Sequence, residues 1–188
     1  MTGRADIPTT VVGGDGPEYD TQLYIGPERP QYADLDPVAN DTTHKPRGGL
    51  WTSTWLGEPQ LSDWVRWSAG EAFYTLDEEG WLIEATPGSH LVVIDSVADL
   101  EAVVEAYTDA QEVPSGDPRM DFEALSHDYH GVWLTEDGQR DTHLRGGQAD
   151  SLYGWDAEST LWFDWRIESI APIGTIEWED HPSDTLSW

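Results

Sequence analysis

The chain has no cysteine, and only one of its nine basic residues, Lys45, is a lysine. Without thiols it can build neither a disulfide framework nor a thiolate metal site. It also lacks a secretory apolar segment and any apolar run of membrane-spanning length, which predicts a protein with no membrane partner. The scarce arginines form no stripe, so a phosphate backbone would meet a like-charged surface, and nucleic acid is disfavoured as a partner.

Acids are abundant instead. Thirty-seven Asp and Glu set the formal charge at -28, and they are dispersed along the chain rather than gathered in a tail. Such self-repulsion is costly in dilute buffer, and molar salt screens it to about 3 Å. The Asp-rich, Lys-poor composition therefore reads as that of a salt-in haloarchaeal protein. Eleven Trp and seven Tyr, set in periodic apolar segments, separate it from the acidic disordered chains whose charge it shares.

A length of 188 residues suits one domain. Residues 1–20, rich in Gly, Pro, Thr and Asp, read as a flexible lead-in, residues 21–178 as the domain, and 179–188 as a tail. Strands are predicted at 21–25, 50–54, 71–76, 80–86, 90–95, 132–134, 159–165 and 167–178, the last broken near Pro172-Ile173-Gly174. The strands at 71–76 and 80–86 would form a hairpin through Asp77-Glu78-Glu79-Gly80. Helices are predicted after Ser62, after Ser96, and from Asp121 or Asp117 to a stop at Gly131. Two polar stretches, 28–46 and 136–153, read as long loops, a length that is more often functional or mobile than incidental. Mixed element order makes the class α+β, with mostly antiparallel strands and about three short helices.

Chemistry concentrates in two segments. The first is Arg47-Gly48-Gly49-Leu50-Trp51-Thr52-Ser53-Thr54-Trp55, where a double glycine permits close backbone approach and one of the two tryptophans is expected in the core while the other meets a ligand. The second is Gly154-Trp155-Asp156-Ala157-Glu158, an Asp-x-Glu pair whose side chains share a face at a strand entrance. Two carboxylates on one face can raise each other's pKa, hold a ribose hydroxyl or bind a cation, or simply be solvated in so acidic a chain. His127, His130 and His143 carry no recognised zinc spacing. A nucleophile elbow and a phosphate-cradling loop are both missing.

Leu23-Tyr24, Lys45-Pro46 ahead of Gly49-Leu50-Trp51-Thr52-Ser53, Trp64 and Trp67, Tyr129-His130-Gly131-Val132 and Gly154-Trp155-Asp156 together resemble small uncharacterised proteins of tailed viruses and proviruses of actinobacteria and haloarchaea, over roughly residues 22 to 165. That resemblance implies a location in the cytoplasm of a haloarchaeal host or in the virion. Thr52-Ser53-Thr54 and Asp156-Ala157-Glu158 are also similar, more distantly, to two of the three pieces of the ADP-ribosyltransferase fold.

This second resemblance implies a nucleotide cleft for NAD and a host target. It assigns Glu158 and Asp156 as catalytic carboxylates, and Tyr24, Trp51, Thr52, Ser53 and Trp155 as cofactor-binding residues. The first piece departs from the pattern: Ile25 stands where an Arg or His is expected, with Arg29 and Arg47 as the nearby basic residues. The competing expectation is a non-enzymatic virion or accessory protein that binds a viral or host protein through exposed aromatics.

Overall fold

Residues 7–15, 19–41, 45–74, 78–108, 119–144, 152 and 154–178 are described by a computed structural model. Among these residues eight strands form one sheet: β1 (Thr9–Val11), β2 (Gln22–Gly26), β3 (Leu50–Thr54), β4 (Glu79–Ala85), β5 (His90–Ile94), β6 (Gly131–Leu134), β7 (Ser159–Trp162) and β8 (Ile167–Thr175). Their order is β1-β5-β6-β7-β3-β2-β4-β8. Every pair is antiparallel except β5–β6. A parallel pair needs a long crossover, and α2 (Val97–Ala106) and α3 (Phe122–Ser126) lie along that connection. With α1 (Asp63–Glu71) and α4 (Glu136–Leu144), the architecture is α+β.

Side-chain pattern explains the central strands. The near-continuous apolar run of β5 is buried on both faces, as such runs are in strands covered from two sides. Val92 and Ile94 join Val132, Leu134 and Leu161 in a cluster with Leu100, Val103, Val104, Phe122 and Leu125. Leu91 packs the opposite way with Val12 and Trp162. A second core forms where Val65 of α1 meets Leu23, Leu61, Ile176 and Trp178. Burying one such side chain contributes about 1.5–3 kcal/mol, so Leu161→Ala, at a fully buried position, is expected to remove about 2–5 kcal/mol.

Three helix starts use the caps the sequence predicts. Ser62 Oγ accepts Val65 N–H at 3.3 Å, Ser96 Oγ accepts Asp99 N–H at 3.3 Å, and Asp121 Oδ1 accepts Ala124 N–H at 2.9 Å. Each pairing satisfies one of the amides that a first turn leaves without a partner.

Five local expectations change. Thr9–Val11, expected to be part of a flexible lead-in, pairs with β5 from Thr9↔Val92 to Val11↔His90. The strand expected at 71–76 is absent over its described part: α1 runs to Glu71 and ends on Ala72 in the left-handed region (φ 54). β4 therefore pairs with β2 and β8 instead of forming that hairpin. Glu136–Leu144, expected as loop, is α4. Gly131 opens β6, paired with Trp162, rather than stopping a helix; glycine is needed there because a Cβ would lie 2.6 Å from the Leu161 carbonyl oxygen. The last two strands end earlier than expected, at Trp162 and Thr175. The break expected near Pro172 is a register shift opposite Gly80/Trp81, on an edge strand that tolerates proline. The tail at 179–188 lies outside the described residues.

Candidate functional site

Strand β3 and the 154–157 segment stand as two walls of a cleft of about 780 Å³. The 28–46 loop closes a third side through residues such as Arg29, Asp34 and Lys45, and Trp64 and Trp67 of α1 also line the cleft. That loop is held to the start of β3: Ala39 and Arg47 exchange backbone hydrogen bonds at 2.9 and 3.0 Å, and Gly49 N–H donates to Asp36 O at 2.9 Å. Both glycines are in the left-handed region, φ 75 and 70. A Cβ on Gly48 would lie 2.3 Å from Pro37 O, and one on Gly49 2.4 Å from Leu161 Cδ1. The double glycine thus lets β3 approach the loop and β7.

Tyr24, Trp51, Thr52, Ser53, Trp155 and Asp156 all line this one cleft. Their polar atoms are not equally available. Thr52 Oγ1 donates to Gln22 Oε1 at 3.2 Å and accepts Trp162 Nε1–H at 3.1 Å. Ser53 Oγ donates to Glu158. The two hydroxyls are therefore committed to the sheet. Trp155 is a core residue, 3 % exposed, stacked on Phe122 with ring centroids 6.1 Å apart and edge-on to Trp51 at 4.6 Å; its buried Nε1 has no hydrogen-bond partner among the described residues. Trp51 is the partly buried member of the pair, and Trp55 packs against the second core. Burial, with the Asp34 and Glu78 carboxylates adding to it, raises the pKa of Tyr24.

Glu158 is 5 % exposed and does not line the cleft. Its Oε2 accepts Ser53 Oγ–H at 2.8 Å and Thr54 N–H at 2.8 Å. Its Oε1 accepts Thr54 Oγ1–H at 2.8 Å and Trp133 Nε1–H at 2.9 Å. Four donors occupy the positions at which a carboxylate accepts. Burial pushes its pKa up, and the donors from Thr54, Ser53 and Trp133 pull it partway back. Tyr19, whose hydroxyl donates to Thr160 at 3.0 Å, is raised well above the usual tyrosine range, mainly by burial. The Asp-x-Glu pair is thus split, with Asp156 on the cleft wall and Glu158 locked behind the strand.

Ile25 also lines the cleft, as does Arg29, whereas Arg47 pairs with Asp41 at 2.9 Å. Sequence reasoning passed over Lys45 as a site residue, although its being the sole lysine was a usable signal. Its Nζ sits 4.5 Å from the Trp51 ring centroid. Lys45 is exposed as a whole residue, yet desolvation lowers its pKa, opposed by the charge of Asp156. Phe73, another lining residue, is 64 % exposed, with its ring centroid 5.5 Å from that of Trp67. Trp165 meets Tyr32 edge-on at 6.3 Å.

Among the described residues, no histidine lines the cleft. His130 Nδ1 accepts His90 N–H at 2.8 Å, and its pKa is lowered by burial and by Arg166 and His90, against Asp164. Among the described residues, no three His or acidic side chains are grouped to hold a metal ion, and no helix is long and apolar enough to cross a membrane. No family model, curated protein or solved structure matches the chain.

Proposed function

We propose that the cleft binds a ligand carrying a flat ring, of the nucleotide class, with NAD as the dinucleotide to be tested first. The carrying observation is the convergence of Tyr24, Trp51, Trp155 and Asp156, from segments far apart in sequence, on one cleft of about 780 Å³, within the volume range of cofactor sites. Aromatic faces supply stacking surface, and Arg29, which lines the cleft, supplies positive charge for phosphate in an otherwise acidic chain. In the ADP-ribosyltransferase reading, Asp156 is the carboxylate that serves cleavage of the glycosidic bond to nicotinamide. Glu158 has its acceptor positions filled and acts as a structural carboxylate in this reading. The protein would work in the salt-rich cytoplasm of a haloarchaeal host of a virus or provirus.

The test is titration of tryptophan fluorescence in molar KCl with NAD, ADP-ribose and AMP, followed by assay of nicotinamide release. Binding that weakens about ten-fold in Trp51→Ala, in line with the loss of one aromatic stacking contact, supports the reading; no binding by any of the three overturns it. Asp156→Asn is expected to abolish nicotinamide release while leaving binding measurable.

A second reading rests on the exposed aromatics Phe73 and Tyr74, 64 % and 37 % exposed. Aromatics of this kind anchor protein partners, which would make the chain a virion or accessory protein. Stoichiometric recovery in purified particles, with no nucleotide bound, would favour it.

A further inference from the structure

Arginine fills every cationic position in this chain but one. For pairing with carboxylates or phosphates, and for lying on aromatic faces, arginine serves as well as lysine or better. Only lysine can shed its proton and attack an electrophile. The exception, Lys45, is in the cleft wall: its Nζ lies over Trp51 at 4.5 Å, and Gly154 lies against its stem, where an added Cβ would come within 3.8 Å of Lys45 Cβ and Cδ. Asp156 lines the same cleft.

We infer that Lys45 is a nucleophilic amine that condenses with a ring-bearing aldehyde or ketone held in this cleft. The inference rests on the cleft being a ligand site and does not require the ligand to be a nucleotide. The Nζ lone pair forms a bond to the carbonyl carbon while the carbonyl π pair moves to oxygen, which takes up a proton. The proton that the oxygen takes up comes from the attacking nitrogen; the carbinolamine hydroxyl then takes a second proton from solvent and leaves as water, which gives a protonated imine. Amine, carbonyl and one solvent proton thus give iminium and water, with no change of oxidation state. The cationic imine is stabilised by the Trp51 ring face over which Nζ lies and by the negative charge of Asp156, which acts on the same amine. Desolvation of the amine by the cleft, which lowers its pKa despite Asp156, increases the fraction that can attack.

A chain with one lysine makes the test specific. The full chain in molar KCl is mixed with pyridoxal as a ring-bearing aldehyde, trapped with borohydride, and read by intact mass and peptide mapping. Lys45 and the α-amino group are the two amines that can react. Lys45 is expected to be labelled on the order of ten-fold faster than Nα-acetyl-lysine amide in the same buffer, as expected of an amine held near its electrophile. Trp51→Ala should slow Lys45 labelling and leave α-amino labelling unchanged, with an unaltered thermal melt as the control for folding defects. Labelling of Lys45 no faster than the free amide, or of the α-amino group alone, would overturn the inference. NAD titration of the same samples separates this outcome from that of the nucleotide reading, since either result can fail without the other.

Discussion

Ser53 Oγ meets Glu158 Oε2 at 2.8 Å across 105 positions of sequence, and it ties the strand that forms one cleft wall to the segment that forms the other. The same carboxylate holds Thr54 of β3 and Trp133 of β6. Glu158 is thus a clasp at the end of β7 joining three strands.

Glu158→Gln tests this clasp. An amide in the same place has one accepting oxygen, so the group replacing the second oxygen must face at least one N–H donor, Thr54 N or Trp133 Nε1, with an N–H of its own. Leaving a buried donor unpaired costs about 1–3 kcal/mol. Chemical denaturation in molar KCl should show that loss. In the double variant with Trp133→Phe the two losses should sum to less than expected, because the competing donor is gone.

The pH dependence follows from the burial of Glu158. Its folded pKa lies above the ordinary value of 4.5, chiefly through desolvation. In the interval between those two values the native state binds a proton that the unfolded chain has released. Stability from this group is therefore greatest below 4.5 and falls as pH rises through the folded pKa. Glu158→Gln cannot titrate, so the wild-type advantage over it should shrink with rising pH across that window. An advantage that stays flat or grows would contradict the raised pKa.

Gly49→Ala and Gly88→Ala separate steric crowding from backbone strain. Both positions have positive φ, 70 and 81, which costs a non-glycine residue about 1–2 kcal/mol. Gly88 has nothing within 4 Å of an added Cβ, whereas Gly49 meets Leu161 Cδ1 at 2.4 Å and Trp162 O at 2.7 Å. The Gly49 variant should lose about 1–3 kcal/mol more than the Gly88 variant, the usual range for overpacking, and thermal melts of the pair would show it.

A charge of -28 predicts stability that climbs with salt. Repulsion among dispersed acids reaches about 30 Å at 0.01 M and about 3 Å at 1 M. Raising KCl over that range should lift Tm by about 5 °C or more, the equivalent of roughly 1–2 kcal/mol for a domain of this size. A Tm independent of KCl would remove the halophilic reading.

Much of the fold was legible because local chemistry and tertiary packing agree. Leu50–Thr54 is a strand with the predicted bounds, and Ser62, Ser96 and Asp121 cap the predicted helices. The failures come where contacts distant in sequence decide. Gly138 made 136–153 look like loop, yet a Cβ there would lie 2.0 Å from Ile94 O: glycine is needed because α4 crosses the end of β5 at close range. Thr9–Val11 becomes a strand only through its pairing with β5. At the site, the two walls were readable as aromatic and acidic segments. That Glu158 faces away while Asp156 lines the cleft was not, because its partners Ser53, Thr54 and Trp133 lie 105, 104 and 25 residues away.

The order β1-β5-β6-β7-β3-β2-β4-β8 puts β7 and β3 at the middle of the sheet and the first and last strands at its two rims. Fraying begins at rims, where each strand has a neighbour on one side only. Backbone amides of β3 and β7 should therefore be the last to exchange with deuterated solvent, and a ligand in the cleft would rest on the part of the molecule that opens least often.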